Sequence, residues 1–223
     1  MRSALTILDN SPIRFMVELP LEVEYLDFAI EQSRLVCPPK VFESETNKRK
    51  LQFKYRHFVE TLGENWYAAV NSLSDPEEVI ESIAETSSSV KRLCNLAGQH
   101  LAAQDLEVAA AGVVLSNYFS VNIVSDDGDL LFWFQTLASI MGWNVCLLST
   151  PEWFGQLDRR YFSSAIEACL DYYNGPVEPG TLRTNILESG KVELRKGLLA
   201  FTLKAFATSH PCLETWQEIV DVG

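Results

Sequence analysis

With 223 residues, 47% of them hydrophobic and 11% aromatic, the chain is long enough to bury a sizeable core and too apolar for intrinsic disorder. Its formal net charge of −12 argues against a general nucleic-acid coat, though not against a local basic groove. The five cysteines (Cys37, Cys94, Cys146, Cys169 and Cys212) are widely spaced without a C-x-x-C pair, and the three histidines are scattered, which points to reduced thiols in a cytoplasmic protein and away from a zinc finger. No secretion signal is evident, and no apolar run approaches the roughly 18 residues that cross a bilayer, so no membrane partner is expected.

In chain order, "ALTILD" (4–9) reads as a short buried strand ending at Asp9-Asn10-Ser11-Pro12, where Pro12 suits a helix start. Helical spacing runs from Leu19 to Leu35, with Leu21, Tyr25, Phe28 and Ala29 on one side. Leu35-Val36-Cys37 is a candidate second strand, and Pro38-Pro39 restarts the chain as a helix from about Lys40. Residues 47–103 read as mostly helical, broken at Ser74-Asp75-Pro76, which has N-cap chemistry. "DLEVAAAGVVLSNYF" (105–119) is a helix in its first half, and "VNIVS" (121–125) is a buried strand by its β-branched content. "DLLFWFQTLASIMG" (129–142) is a helix stopped by Gly142, "WNVCLLS" (143–149) is another strand, and Thr150-Pro151-Glu152 opens a further helix. This alternation predicts parallel βαβ crossovers. Beyond it come a helix near 158–173, a Pro/Gly linker at 174–180 and an amphipathic helix near 191–208, so the expected division is a core over 1–157 and a C-terminal helical extension over 158–223.

The carboxyl edge of a parallel sheet is where α/β proteins place their sites. Asp9 falls at the end of the first strand, and Asp126, Asp127 and Asp129 follow the strand at 121–125. Asp105 opens the helix that leads into that strand, whereas Glu107, two residues on, is expected to point elsewhere. Carboxylates brought together need a counter-charge, and oxygen ligands suit Mg²⁺ or Mn²⁺. Taken singly, Asp9 and Asp105 also read as helix caps, and 126–129 as a solvated turn. The spacing around Gly128 does not fit a calcium loop of the EF-hand kind.

The order "LDNSPI", "AAQDLEVAAAG", "NIVSDDGDLLF", "MGWNVCLLSTPEWF" resembles the PIN-domain family of metal-dependent ribonucleases over residues 4–155. The resemblance implies a three-layer α/β/α fold around a parallel sheet of four or five strands. It implies Asp9, Asp105 and Asp127 as the core catalytic and metal-binding carboxylates, with Asp129 and Asp126 as auxiliary ones and Ser11 and Ser125 supporting them. Asp129 is also a candidate cap for the next helix. One position departs from the pattern: Ser44 stands where the family has a Glu, with Glu43 and Glu45 on either side and Glu43 as the candidate substitute. A one-residue shift turns a helical side chain by about 100°.

"NKRKLQFKYRH" (47–57) gathers Lys48, Arg49, Lys50, Lys54 and Arg56 around Phe53 and Tyr55, a candidate surface for phosphates and stacked bases or else an ordinary helix with core-facing aromatics. The expected function is Mg²⁺- or Mn²⁺-dependent endonucleolytic cleavage of single-stranded or structured RNA. The alternative is a PIN-like module with a degraded site that binds RNA or protein. A homodimer or a protein partner is left open. With no G-x-G-x-x-G and no P-loop, dinucleotide or nucleotide binding lacks its phosphate cradle.

Overall fold

The computed structural model describes residues 4–18, 23–48, 53–96, 101–125 and 142–148, and singly 127, 130, 134, 138, 150, 153, 156 and 157. The chain divides into two compact units, 1–148 and 149–223. In the second unit, Thr150 and Trp153 are helical and buried. The helices expected at 158–173 and 191–208 and the linker between them lie outside the described residues.

The first unit is an α/β fold. Its four strands, β1 (Ala4–Leu8), β2 (Leu35–Val36), β3 (Ser120–Val124) and β4 (Val145–Leu148), form one parallel sheet in the order β2-β1-β3-β4. Leu5 to Leu8 are all buried, as expected of a central parallel strand covered on both faces. The connection after β1 leads to one side of the sheet and the connection after β3 to the other. The carboxyl ends of β1 and β3 therefore flank a topological switch point, where α/β sheets open a crevice.

Six helices are described: α1 (Asn10–Glu18), α2 (Val23–Gln32), α3 (Pro39–Lys48), α4 (Phe53–Asn71), α5 (Pro76–Leu96) and α6 (Ala103–Leu115). The helical spacing expected from Leu19 to Leu35 ends sooner than predicted, at Gln32. Leu35 and Val36 form the second strand expected there, pairing with Thr6 and Ile7 of β1, and the Thr6 N–H donates to Arg34 O at 3.0 Å. Edge pairing thus outweighs helical periodicity there. Asp75 caps α5 as its sequence suggests, accepting from the Glu78 N–H at 3.1 Å. The side-chain amide of Asn65 in α4 donates to Leu35 O at 3.1 Å, fastening that helix to β2.

α6 has apolar or small residues nearly all round and is buried accordingly, from Leu106 through Leu115 with only Glu107 and Val113 partly exposed. Its small residues let it lie close on the sheet. A Cβ on Gly112 would stand 2.5 Å from Ile123 Cδ1 and 3.4 Å from Val145 Cγ1. Of the helix expected over 129–142, Leu130, Phe134 and Ala138 are described, each helical and buried at four-residue spacing. It ends as predicted: Gly142 has φ +70°, and the Trp143 N–H reaches back to Ala138 O at 2.9 Å, the long bond of a Schellman cap. Cys37 and Cys94 are buried thiols and Cys146 is a half-buried one. No described helix is long and apolar enough to cross a membrane.

Candidate functional site

The register of the sheet builds the centre of the site. Leu8 pairs with Val124, the Asp9 N–H continues the ladder to Val124 O at 3.0 Å, and the Ser125 N–H does the same to Leu148 O at 3.0 Å. One residue beyond the last paired rung, Asp9 and Ser125 are neighbours. The Ser125 hydroxyl donates to Asp9 Oδ2 at 2.7 Å and accepts from the Asp127 N–H at 3.0 Å. A single hydroxyl therefore ties the end of β1 to the turn after β3. Asp9 is 2% exposed and Ser125 is fully buried.

Asp127 Oδ1 accepts from the Leu130 N–H at 3.3 Å, as a cap of the helical segment that follows. Three helices begin at this edge: α1 directly after Asp9, α3 three residues after β2, and α6, which Glu107 bonds to the first turn of α3. Helix N-termini carry partial positive charge, which favours carboxylates beside them. Asp105 sits in the first turn of α6, where its Oδ2 accepts from the Ala102 N–H at 3.1 Å. Its reading as a cap at the helix start is thus correct at the level of hydrogen bonding.

Ser44 is buried while Glu43 is exposed, so at the departure from the family pattern the hydroxyl takes the inward position and the acid the outward one. Ser44 Oγ and Asn10 Oδ1 are buried oxygens with no hydrogen-bond partner among the described residues. Ser11 lies half-buried in the first turn of α1. Asp126 and Asp129 lie outside the described residues.

Glu107 is the residue sequence reasoning set aside. It reaches another helix: its Oε2 accepts from the Lys40 N–H at 2.8 Å, and its Oε1 stands 3.9 Å from Lys40 Nζ. Burial raises its pKa and the nearby Glu43 charge adds to this, against the lowering effects of the Lys40 N–H and ammonium. The signal that could have found it is indirect. "CPPK" opens a helix with no side chain of its own at the capping position, which leaves its first N–H open to a partner from elsewhere.

Hard oxygen donors of this kind suit Mg²⁺ or Mn²⁺, which bind through one or two carboxylates and retain water. Asp9 and Asp127, joined through Ser125, with the buried Asn10 and Ser44 oxygens, fit that chemistry in kind. Among the described residues no three Asp, Glu, His or Cys side chains are gathered as ligands of one ion, so Asp9, Asp105 and Asp127 do not by themselves form a closed set.

The basic segment is described in part. Arg49 and Lys50, and the side chains of Lys48 and Lys54, lie outside the described residues. Arg56 is exposed and stands 3.8 Å from Glu60, one helical turn on. Tyr55 is 6% exposed and belongs to the core, so it does not offer a face to stacked bases. No family model, curated protein or solved structure matches the chain.

Proposed function

We propose that the chain is a PIN-like, Mg²⁺- or Mn²⁺-dependent endoribonuclease, with a three-layer α/β/α core and residues 158–223 as a helical extension. The observation that carries this reading is the Asp9–Ser125–Asp127 linkage at the switch point between β1 and β3. Asp9 and Asp127 hold the cation, with Asp105, Asp126, Asp129 and Glu43 as further candidate donors. Bound there, Mg²⁺ or Mn²⁺ supplies Lewis-acid chemistry for phosphodiester hydrolysis. Ser125 orients the Asp9 carboxylate, and its burial keeps that orientation single. Lys48, Arg49, Lys50, Lys54 and Arg56 are the candidate phosphate contacts for RNA.

The test is cleavage of a labelled single-stranded RNA by the full chain with Mn²⁺, with EDTA, and with Asp9→Asn and Asp127→Asn. The expected result is Mn²⁺-dependent cleavage that EDTA abolishes and that each substitution lowers by about 100-fold. Cleavage indifferent to Asp127→Asn would assign the activity to a contaminant.

A second reading, a module that binds RNA or protein without cutting, is favoured by one observation: Ser44 is buried at the position where the resemblance calls for Glu. Metal binding without cleavage, together with RNA retention, would select it.

A further inference from the structure

α3 begins in a way its own sequence does not complete. The Phe42 N–H bonds to Pro38 O at 3.0 Å, which makes Pro38 the capping residue, and proline has no side chain that accepts a hydrogen bond. Pro39 has no N–H, so the first donor needing a partner is Lys40. That partner is Glu107, 67 residues away and on another helix, at 2.8 Å. The side chain of Glu107 is 13% exposed and that of Lys40 is 53% exposed, so the contact is shielded on the Glu side.

The consequence is positional. α3 packs against α1, which starts directly after Asp9, and against α6, whose first turn carries Asp105. The Glu107 bond fastens the first turn of α3 to α6 just past the turn that carries Asp105. The following residues of α3 include Glu43, exposed, and Ser44, whose buried hydroxyl has no hydrogen-bond partner among the described residues.

We propose that Glu107 is a positioning residue of the carboxylate site, holding the α3 turn that carries Glu43 and Ser44 in register with the start of α6. This rests on the nuclease reading above. Groups that orient a metal site from outside its ligands are often worth 10–100-fold in affinity.

The test uses the full chain and Mn²⁺ alone as probe, titrated by electron paramagnetic resonance well below the melting temperature of each variant. Glu107→Ala is expected to weaken Mn²⁺ binding by about 10-fold. Glu107→Gln, whose amide oxygen can still accept from the Lys40 N–H, is expected to stay within about twofold of the unaltered chain. Glu107→Asp keeps the charge but withdraws the acceptor, and is expected to behave as Glu107→Ala does; it also serves if Glu107→Ala does not fold. In RNA cleavage the loss should fall on kcat with KM little changed. A lowered melting temperature with unchanged Mn²⁺ affinity in Glu107→Ala or Glu107→Asp would overturn the proposal, leaving Glu107 as a helix cap alone. No Mn²⁺ uptake by the unaltered chain would remove the nuclease reading, and the proposal with it.

Discussion

Ser125 satisfies two groups with one hydroxyl, and both belong to the proposed site. Replacing it with Ala removes a donor to a carboxylate that is 2% exposed. Losing a hydrogen bond to a buried charged group costs about 1–3 kcal/mol. Ser125→Ala should lower the free energy of unfolding in urea by that amount, and Ser125→Thr, which keeps the hydroxyl, should lose less. Glu107 makes a different prediction, because burial raises its pKa in the folded chain. Between the ordinary glutamate range and the raised folded value, the folded chain carries a proton that the unfolded chain lacks. Stability attributable to Glu107 therefore increases as pH falls through that window, and is lost as pH rises past the folded value. Urea unfolding of Glu107→Gln across that range should lack this component of the pH slope. A slope identical to that of the unaltered chain would mean that Glu107 titrates normally.

At the scale of elements, the close seat of α6 on the sheet depends on Gly112. Gly112→Ala gains helix propensity of about 1 kcal/mol but forces a methyl against fully buried Ile123, at a cost of about 1–3 kcal/mol. A net destabilisation of about 1 kcal/mol is expected by urea unfolding, with Gly112→Val worse. A stabilised Gly112→Ala would show that Ile123 has room to move. Much of this layer was legible beforehand, because the short apolar runs at 4–9, 121–125 and 143–149 and the small-residue helix from 105 carry their burial in their composition. The Asp75 cap and the Gly142 stop were legible for the same local reason. What could not be read was anything decided between elements. The sequence left Tyr55 open between a core-facing and a base-stacking role, and its burial among the core residues decides for the first. The site divides along the same line. Asp9 and Ser125 could be expected at one sheet edge from strand ends alone, but the bond from the Leu130 N–H to Asp127 depends on the turn. The Glu107 contact depends on the placement of two helices.

For the whole molecule, the net charge of −12 works against binding a polyanion and in favour of binding a cation. If the carboxylate edge takes Mn²⁺, the ion binds the folded chain alone and stabilises it by linkage. At 100 times its Kd this amounts to about 2.7 kcal/mol, measurable as a shift in the urea midpoint. Asp9→Asn should remove most of that shift, and a shift that survives Asp9→Asn would place the ion elsewhere on the acidic surface. The remote cap of α3 also bears on the order in which the molecule assembles. The first turn of α3 has its partner in α6, so during synthesis that turn must wait while 67 further residues are added. Its native bond closes a long loop and so belongs late on the folding path. Glu107→Ala should accordingly speed unfolding and leave the folding rate nearly unchanged in a stopped-flow chevron. The two prolines that deny α3 a local cap thus leave the last bond of its first turn to be closed only after the helix bearing Asp105 has been made.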